Sequence, residues 1–177
     1  MKFIILDRDG VINEDSDDFV KSPDEFIPIE GSIAAIAKLK QAGYGVVVAT
    51  NQSGIARGLY DLDTLHRMHE KLQRLLQNEG VHIDGIFFCP HGPDDICHCR
   101  KPKPGMYLDI AKRFNIDLSQ TIVVGDSFRD LQAAMKVNAQ PILVKTGKGE
   151  RTLKNNAADI INIPVYDSLA HYVAENI

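Results

Sequence analysis

The sequence has no apolar stretch approaching the ~20 residues that a membrane-spanning helix needs. It has no long run of lysine and arginine, and its net charge is −4. It therefore lacks the basic footprint that gripping a phosphate backbone demands. Neither a membrane nor a nucleic acid is expected as a partner. The first residues enter a strand-like run at once, without the h-region of a secretory signal, so the expected location is the cytoplasm. There is no internal repeat and no low-complexity linker. Cysteine is scarce as well. The three present, Cys89, Cys97 and Cys99, fall within eleven residues. An odd, clustered set fits poorly with a disulfide framework and better with a metal site.

What is present is an ordinary globular composition over 177 residues, 44% apolar and 25% charged. That is enough for one well-buried core, and residues 1–177 are expected to form a single domain. Short β-rich runs alternate with helical patterns. KFIIL (2–6), YGVVVAT (44–50), DGIFFC (84–89), TIVVGD (121–126), PILVKTG (141–147) and DIINI (159–163) read as strands. SIAAIAKLKQAG (32–43) reads as a helix closed by Gly43. Residues 62–80 place Leu62, Leu65, Met68, Leu72, Leu75 and Leu76 on one helical face, most simply a core stripe. GMYLDIAKRFN (105–115), FRDLQAAMKV (128–137) and VYDSLAHYVAENI (165–177) read as further helices. Continuously apolar strands alternating with helices predict an α/β fold, a doubly wound, mostly parallel sheet with helices on both faces. Ligands in such folds bind beyond the carboxyl ends of the strands.

Polar residues cluster at those ends. The first strand runs into Asp7, Arg8, Asp9 and Gly10, and the second into Thr50, Asn51, Gln52, Ser53 and Gly54. Arg100, Lys101, Pro102, Lys103 and Pro104 precede the helix at 105. Gly125, Asp126, Ser127 and, farther on, Asp130 follow the strand at 121. Any one cluster alone is ordinary turn or capping chemistry. Together they suit phosphoryl transfer, in which an anionic ester must be neutralised before it can be attacked. Asp7 and Asp126 can offer hard oxygen ligands to Mg²⁺. Thr50 and the backbone N–H groups of Asn51 and Gln52 can hold phosphate oxygens, and Lys101 can place a point charge on them. Asp7, ionised at neutral pH, can attack phosphorus. Asp9 can protonate the leaving oxygen, if it holds a proton, and then take one from water.

These motifs resemble those of the haloacid dehalogenase superfamily. DRDGVIN resembles its first motif, VVVATNQSG the second, RKPKPGM the third and VVGDSFRD the fourth. The resemblance covers about residues 2 to 146. It implies Asp7 as nucleophile, Asp9 as acid/base, Thr50 and Lys101 on the phosphate, and Asp126 on Mg²⁺ with the backbone carbonyl of Asp9. Some relatives carry Lys after the fourth-motif Asp, where this chain has Ser127. More narrowly, the chain is similar to the heptose-bisphosphate phosphatases; the histidinol-phosphate phosphatases, the alternative, share nearly all of these motifs. The implied substrate is a small phosphorylated sugar.

CPHGPDDICHC (89–99) offers Cys89, His91, Cys97 and Cys99, four soft or borderline ligands that suit tetrahedral Zn²⁺. The resemblance names the same four positions. His98 is assigned to solvent. Four protein ligands leave no open position, so the zinc is read as structural. Only about 40 and about 50 residues separate successive motifs, too few for an independent cap domain, so specificity falls to short loops. Arg100, Arg57, Asp15 and Asp18, with Asn51, Gln52 and Ser53, are the candidate substrate contacts. His66, His69, His82 and His171 are read as surface or capping residues. The expected state is a monomer. Two other readings remain: a phospho-acceptor switch, which Asp9 argues against, and a zinc-stapled module with a dead site.

Overall fold

The computed structural model describes all 177 residues. Six strands form one sheet in the order β3-β2-β1-β4-β5-β6. They are β1 (Phe3–Leu6), β2 (Gly45–Asn51), β3 (Gly85–Cys89), β4 (Ile122–Gly125), β5 (Gln140–Val144) and β6 (Val165–Tyr166). Every adjacent pair runs parallel. The helices are α1 (Ser32–Gln41), α2 (Leu62–Asn78), α3 (Gly105–Phe114), α4 (Phe128–Lys136), α5 (Gly149–Asn155) and α6 (Leu169–Asn176). None is long and apolar enough to cross a membrane.

Strand alternation sorts the core into two layers, because successive side chains point to opposite faces. Ile4, Leu6, Val46 and Val48 pack with Leu39 of α1, with Leu65, Met68, Leu72 and Leu76 of α2, and with Leu169 and Val173 of α6. Ile5, Val47 and Ala49 face the other way, onto Met106, Tyr107 and Ile110 of α3 and Ala133 and Ala134 of α4. Both faces of the central strands are thus covered, which is why they read as apolar throughout. Between β1 and β2, and again between β2 and β3, the chain adds loops and one helix each, with no cap domain.

The C-terminal quarter departs from the sequence reading. Residues 159–163 are not a strand. Asp159 and Ile160 donate to the Asn156 carbonyl at 3.0 and 3.2 Å, and Ile163 donates to that of Ile160 at 2.9 Å. These turns bury Ile160 against Leu131 and Leu143 and leave Ile161 outside. The sixth strand comes later, with Val165 opposite Leu143. The last helix starts only at Leu169, because the Ser168 hydroxyl accepts from the His171 N–H at 3.1 Å and caps it. Helix α5 was not anticipated.

Candidate active site

The carboxyl ends of β1, β2 and β4 converge on one polar cavity. Asp7 leaves β1 with its N–H donated to the Val124 carbonyl of β4 at 2.9 Å. The chain then turns on the Arg8 carbonyl, which accepts from Val11, Ile12 and Asn13 at 3.2, 2.8 and 3.2 Å. Gly10 (φ +86°) and Gly147 (φ +57°) sit against the Asp126 carboxylate so closely that a Cβ at either would collide with it. These two glycines let the loops after β1 and β5 close around Asp126. Its Oδ2 accepts from the Lys148 N–H at 2.7 Å, and its carbonyl from the Thr152 hydroxyl at 2.8 Å.

Oxygens of Asp7, Asp126 and Asp130 lie within 4.8 Å of one another. Lys101, 2% exposed, is 3.0 Å from Asp7 Oδ1 and 2.6 Å from Asp130 Oδ1, and donates to the Ala49 carbonyl at 2.8 Å. One buried lysine does not neutralise three clustered carboxylates, two of them buried and Asp7 partly so. Burial, then repulsion from Asp130, pushes Asp7 up to about 7 against the pull of Lys101. The same two causes hold Asp126 well above the usual carboxylate range. Burial also acts to raise Asp130, but Lys101 and the Ser127 donors outweigh it and hold Asp130 low. Without further positive charge Asp7 is therefore not fully ionised at neutral pH, contrary to the reading from its ordinary pKa. An all-oxygen donor set with excess negative charge fits Mg²⁺, which prefers few carboxylates and keeps waters.

Asp130 carries more than the sequence reading allowed. It anchors Lys101 and caps α4 reciprocally, its Oδ2 accepting from Ser127 N and Oγ at 3.0 and 2.9 Å. Ser127, where some relatives have Lys, is thus occupied as a helix cap. The second carboxylate in GDSFRD was the available signal.

The Asp9 side chain stands apart from the three clustered carboxylates. Its Oδ1 accepts from Arg8 Nε at 2.9 Å and Asn13 Nδ2 at 2.8 Å, and its Oδ2 from Gln52 Nε2 at 3.2 Å. Arg8 is fully buried, stacked over Phe26 at 5.5 Å with Nη1 3.2 Å from His69 Nε2. His69 is neither the surface nor the capping residue expected from the sequence: it is 8% exposed. Burial, and then the charge of Arg8, push it down to about 3, so it meets Arg8 neutral.

One of the two expected backbone donors to phosphate is already engaged, and so is the Asn51 side chain. The Gln52 N–H extends the β2–β3 ladder to the Cys89 carbonyl at 2.8 Å. The Asn51 carboxamide clamps the Lys101 peptide, donating to its carbonyl and accepting from its N–H, both at 3.0 Å. Thr50, Ser53, Arg57, Arg100 and Asp15 line the cavity with the residues above, and Arg129 and Lys148 add unanticipated cations. Asp15 pairs with Lys148 at 2.9 Å, and Arg57 stacks over Phe19 at 5.2 Å. Asp18 does not line the cavity. It is exposed, and its carbonyl holds Lys21 Nζ at 2.9 Å.

Ligand atoms of Cys89, His91, Cys97 and Cys99 also gather within 4.8 Å of one another. The His91 Nδ1 lies 3.5 Å from Cys89 Sγ and 3.3 Å from Cys99 Sγ. All three thiols are free of disulfide bonds. Three sulfurs and one imidazole nitrogen suit tetrahedral Zn²⁺. His98 points outward to Asp109 at 3.0 Å. The Arg100 guanidinium donates to the His91 carbonyl at 3.2 Å, tying this loop to the cavity.

Comparison with known proteins bears on this geometry. The family described as "HAD-hyrolase-like" matches residues 98–172. The D-glycero-β-D-manno-heptose-1,7-bisphosphate 7-phosphatase of Bordetella bronchiseptica is 61% identical over 153 residues, 86% of each chain. The protein of the same name from Neisseria meningitidis serogroup A is 56% identical over 173 residues, 97% of this chain and 92% of its own. The chain belongs to this phosphatase family. A crystal structure of the D,D-heptose 1,7-bisphosphate phosphatase from B. bronchiseptica, complexed with magnesium and phosphate, superposes with a TM-score of 0.95 at 55% identity. It covers 99% of this chain and 97% of that one. The family thus has a member of nearly the same shape that holds the metal and anion to which this chain's carboxylates and Lys101 are chemically suited.

Proposed function

We propose that this chain is a Mg²⁺-dependent phosphoric monoester hydrolase converting D-glycero-D-manno-heptose 1,7-bisphosphate to the 1-phosphate through an aspartyl-phosphate. The single observation that carries the reading is the convergence of Asp7, Asp126 and Lys101 at one strand edge, with Asp9 held two residues from Asp7. Asp7 forms the bond to phosphorus as the ester P–O bond breaks, and Asp9 gives its proton to the departing oxygen. Asp9 then takes a proton from water as that water attacks phosphorus, releasing phosphate and restoring Asp7. Lys101, fixed by Asp130, holds a full positive charge against the phosphoryl oxygens throughout. Thr50 donates its hydroxyl to the same group. A bound Mg²⁺, held by Asp7, Asp126 and the Asp9 carbonyl, supplies Lewis-acid charge neutralisation.

Arg100, Arg57 and Asp15 act at the rim, where they select the sugar and its second phosphate. Zn²⁺ on Cys89, His91, Cys97 and Cys99 is structural. On this reading the chain works in the cytoplasm as a monomeric single domain on a soluble sugar phosphate, with no nucleic-acid partner.

The test is phosphate release from heptose 1,7-bisphosphate, fructose 1,6-bisphosphate and histidinol phosphate, with Mg²⁺ and with EDTA. Preference for the heptose substrate, loss of turnover in EDTA, and a drop of at least ~10³-fold in kcat for Asp7→Asn are the expected results. Parental turnover by Asp7→Asn overturns the mechanism, and preference for histidinol phosphate overturns the substrate.

A further inference from the structure

Gln52 is 2% exposed, and every polar atom of its side chain is engaged. Its Nε2 donates to Thr50 Oγ1 at 2.9 Å and to Asp9 Oδ2 at 3.2 Å. Its Oε1 accepts from the Tyr60 hydroxyl at 2.5 Å, and the Asp9 carboxylate, which accepts only, sets the nitrogen end of the amide toward the cavity. A primary amide has two N–H protons, and here one goes to each of two groups that face substrate. On the other side of Asp9, Oδ1 accepts from Arg8 and from Asn13. Arg8 is itself immobilised between Phe26 and His69. The Asp9 carboxylate is thus gripped at both oxygens and cannot rotate freely.

We propose that Gln52, oriented by Tyr60, is a positioning residue for the proton-transfer step, and that Oδ2 is the oxygen of Asp9 that carries the proton. The proposal rests on the phosphatase reading. Oδ1 has two donors aimed at it, one from a guanidinium that never gives up its charge, so a proton on Oδ1 would face N–H groups. Oδ2 has only the neutral amide, at the longer distance. The amide also occupies an acceptor position on Thr50 Oγ1, whose own proton has only a long contact to the Asn51 carbonyl, at 3.5 Å, to give up in turning to a phosphoryl oxygen. In the first half-reaction the proton leaves Asp9 Oδ2 for the ester oxygen as the P–O bond breaks. In the second it returns to Oδ2 from the attacking water.

A positioning role predicts a dependence on leaving group that mere loosening of the fold does not. A p-nitrophenolate ion leaves without protonation, whereas a sugar alkoxide does not. Rapid-quench measurement of phosphoenzyme formation, in Mg²⁺, compares p-nitrophenyl phosphate with a sugar phosphate in the parent, Gln52→Leu and Tyr60→Phe. For Gln52→Leu the expected result is a loss of ~10²-fold or more on the sugar phosphate with less than about tenfold on p-nitrophenyl phosphate. Tyr60→Phe, which removes one hydroxyl, should show the same asymmetry to a smaller degree. It keeps the test available if Gln52→Leu fails to fold. Equal losses on both esters, or none on either, overturn the proposal. A parent that forms no phosphoenzyme with either ester overturns the phosphatase reading instead.

Discussion

Asp7 is where burial and charge conflict most openly. It lies beside Asp130 and near Asp126 with only Lys101 in compensation, and burial pushes it up to about 7. A carboxyl whose folded pKa lies above its unfolded one stabilises the fold when protonated. That contribution is complete below about pH 4 and is lost as pH rises through about 7. Asp126 acts in the same direction. Asp130, held low, loses its own contribution only below the ordinary carboxylate range and so does not offset this window. The EDTA-treated protein should therefore melt lower at pH 7.5 than at pH 5.5, with Mg²⁺ raising the melting temperature more at pH 7.5. The metal-free Asp7→Asn protein should lose much of that pH dependence. Scanning calorimetry checks both, and a metal-free melting temperature that climbs between pH 5.5 and 7.5 would contradict the account.

At the scale of elements, loop 89–99 matters beyond its own metal. Its four Cys and His side chains could hold one ion, and Cys89, Cys97 and Cys99 also pack against the second core layer. Through the loop the His91 carbonyl holds Arg100, and the Cys97 carbonyl holds Lys103 Nζ at 2.7 Å. Loss of one ligand should release both cations from defined positions while leaving Asp7 and Asp9 in place. Cys97→Ala is expected to bind less than one zinc per chain by elemental analysis. Its KM should rise by ~10-fold or more, with a smaller change in kcat, since one hydrogen bond to a charged group is worth about 1.5–3 kcal/mol. Unchanged kinetics in a zinc-free variant would separate the loop from the site. Residues 159–163 teach a different lesson about elements. DIINI has strand composition, but Asn156 captures its N–H groups in turns, and β5 takes its outer neighbour from Val165 instead.

Across the whole molecule the clustered carboxylates, Lys101 and the polar cavity lie at one edge of the sheet, with two packed apolar layers behind it. Leu72 of α2 is completely buried in the larger layer and does not itself line the cavity. Leu72→Ala should destabilise the protein by about 2–5 kcal/mol in urea unfolding, with kcat within about twofold of the parent where both are folded. A large loss of kcat in the folded variant would mean that the back layer tunes the site. Two ion pairs, Asp15–Lys148 at 2.9 Å and Asp17–Arg151 at 3.3 Å, tether the loop after β1 to the start of α5. Arg151 and Asp17 are largely exposed, so that pair contributes little to stability.

Local sequence alone determined the alternation of strand and helix and hence the parallel sheet. It also put Asp7, Asp9, Thr50, Lys101 and Asp126 at the sheet's carboxyl edge, because polarity that follows a buried strand marks its end. The spacing of Cys89, His91, Cys97 and Cys99 likewise displayed a metal loop, since its ligands are close in the chain. Packing alone settles how charges and donors far apart in sequence are shared out. Asp130 rather than solvent holds Lys101, Asn51 clamps a peptide fifty residues away, His69 lies buried against Arg8, and the Gln52 amide bridges Thr50 and Asp9. The reason is that a hydrogen-bonding side chain carries the same letter whether water, backbone or a buried ion satisfies it. Only packing removes the water and leaves one partner.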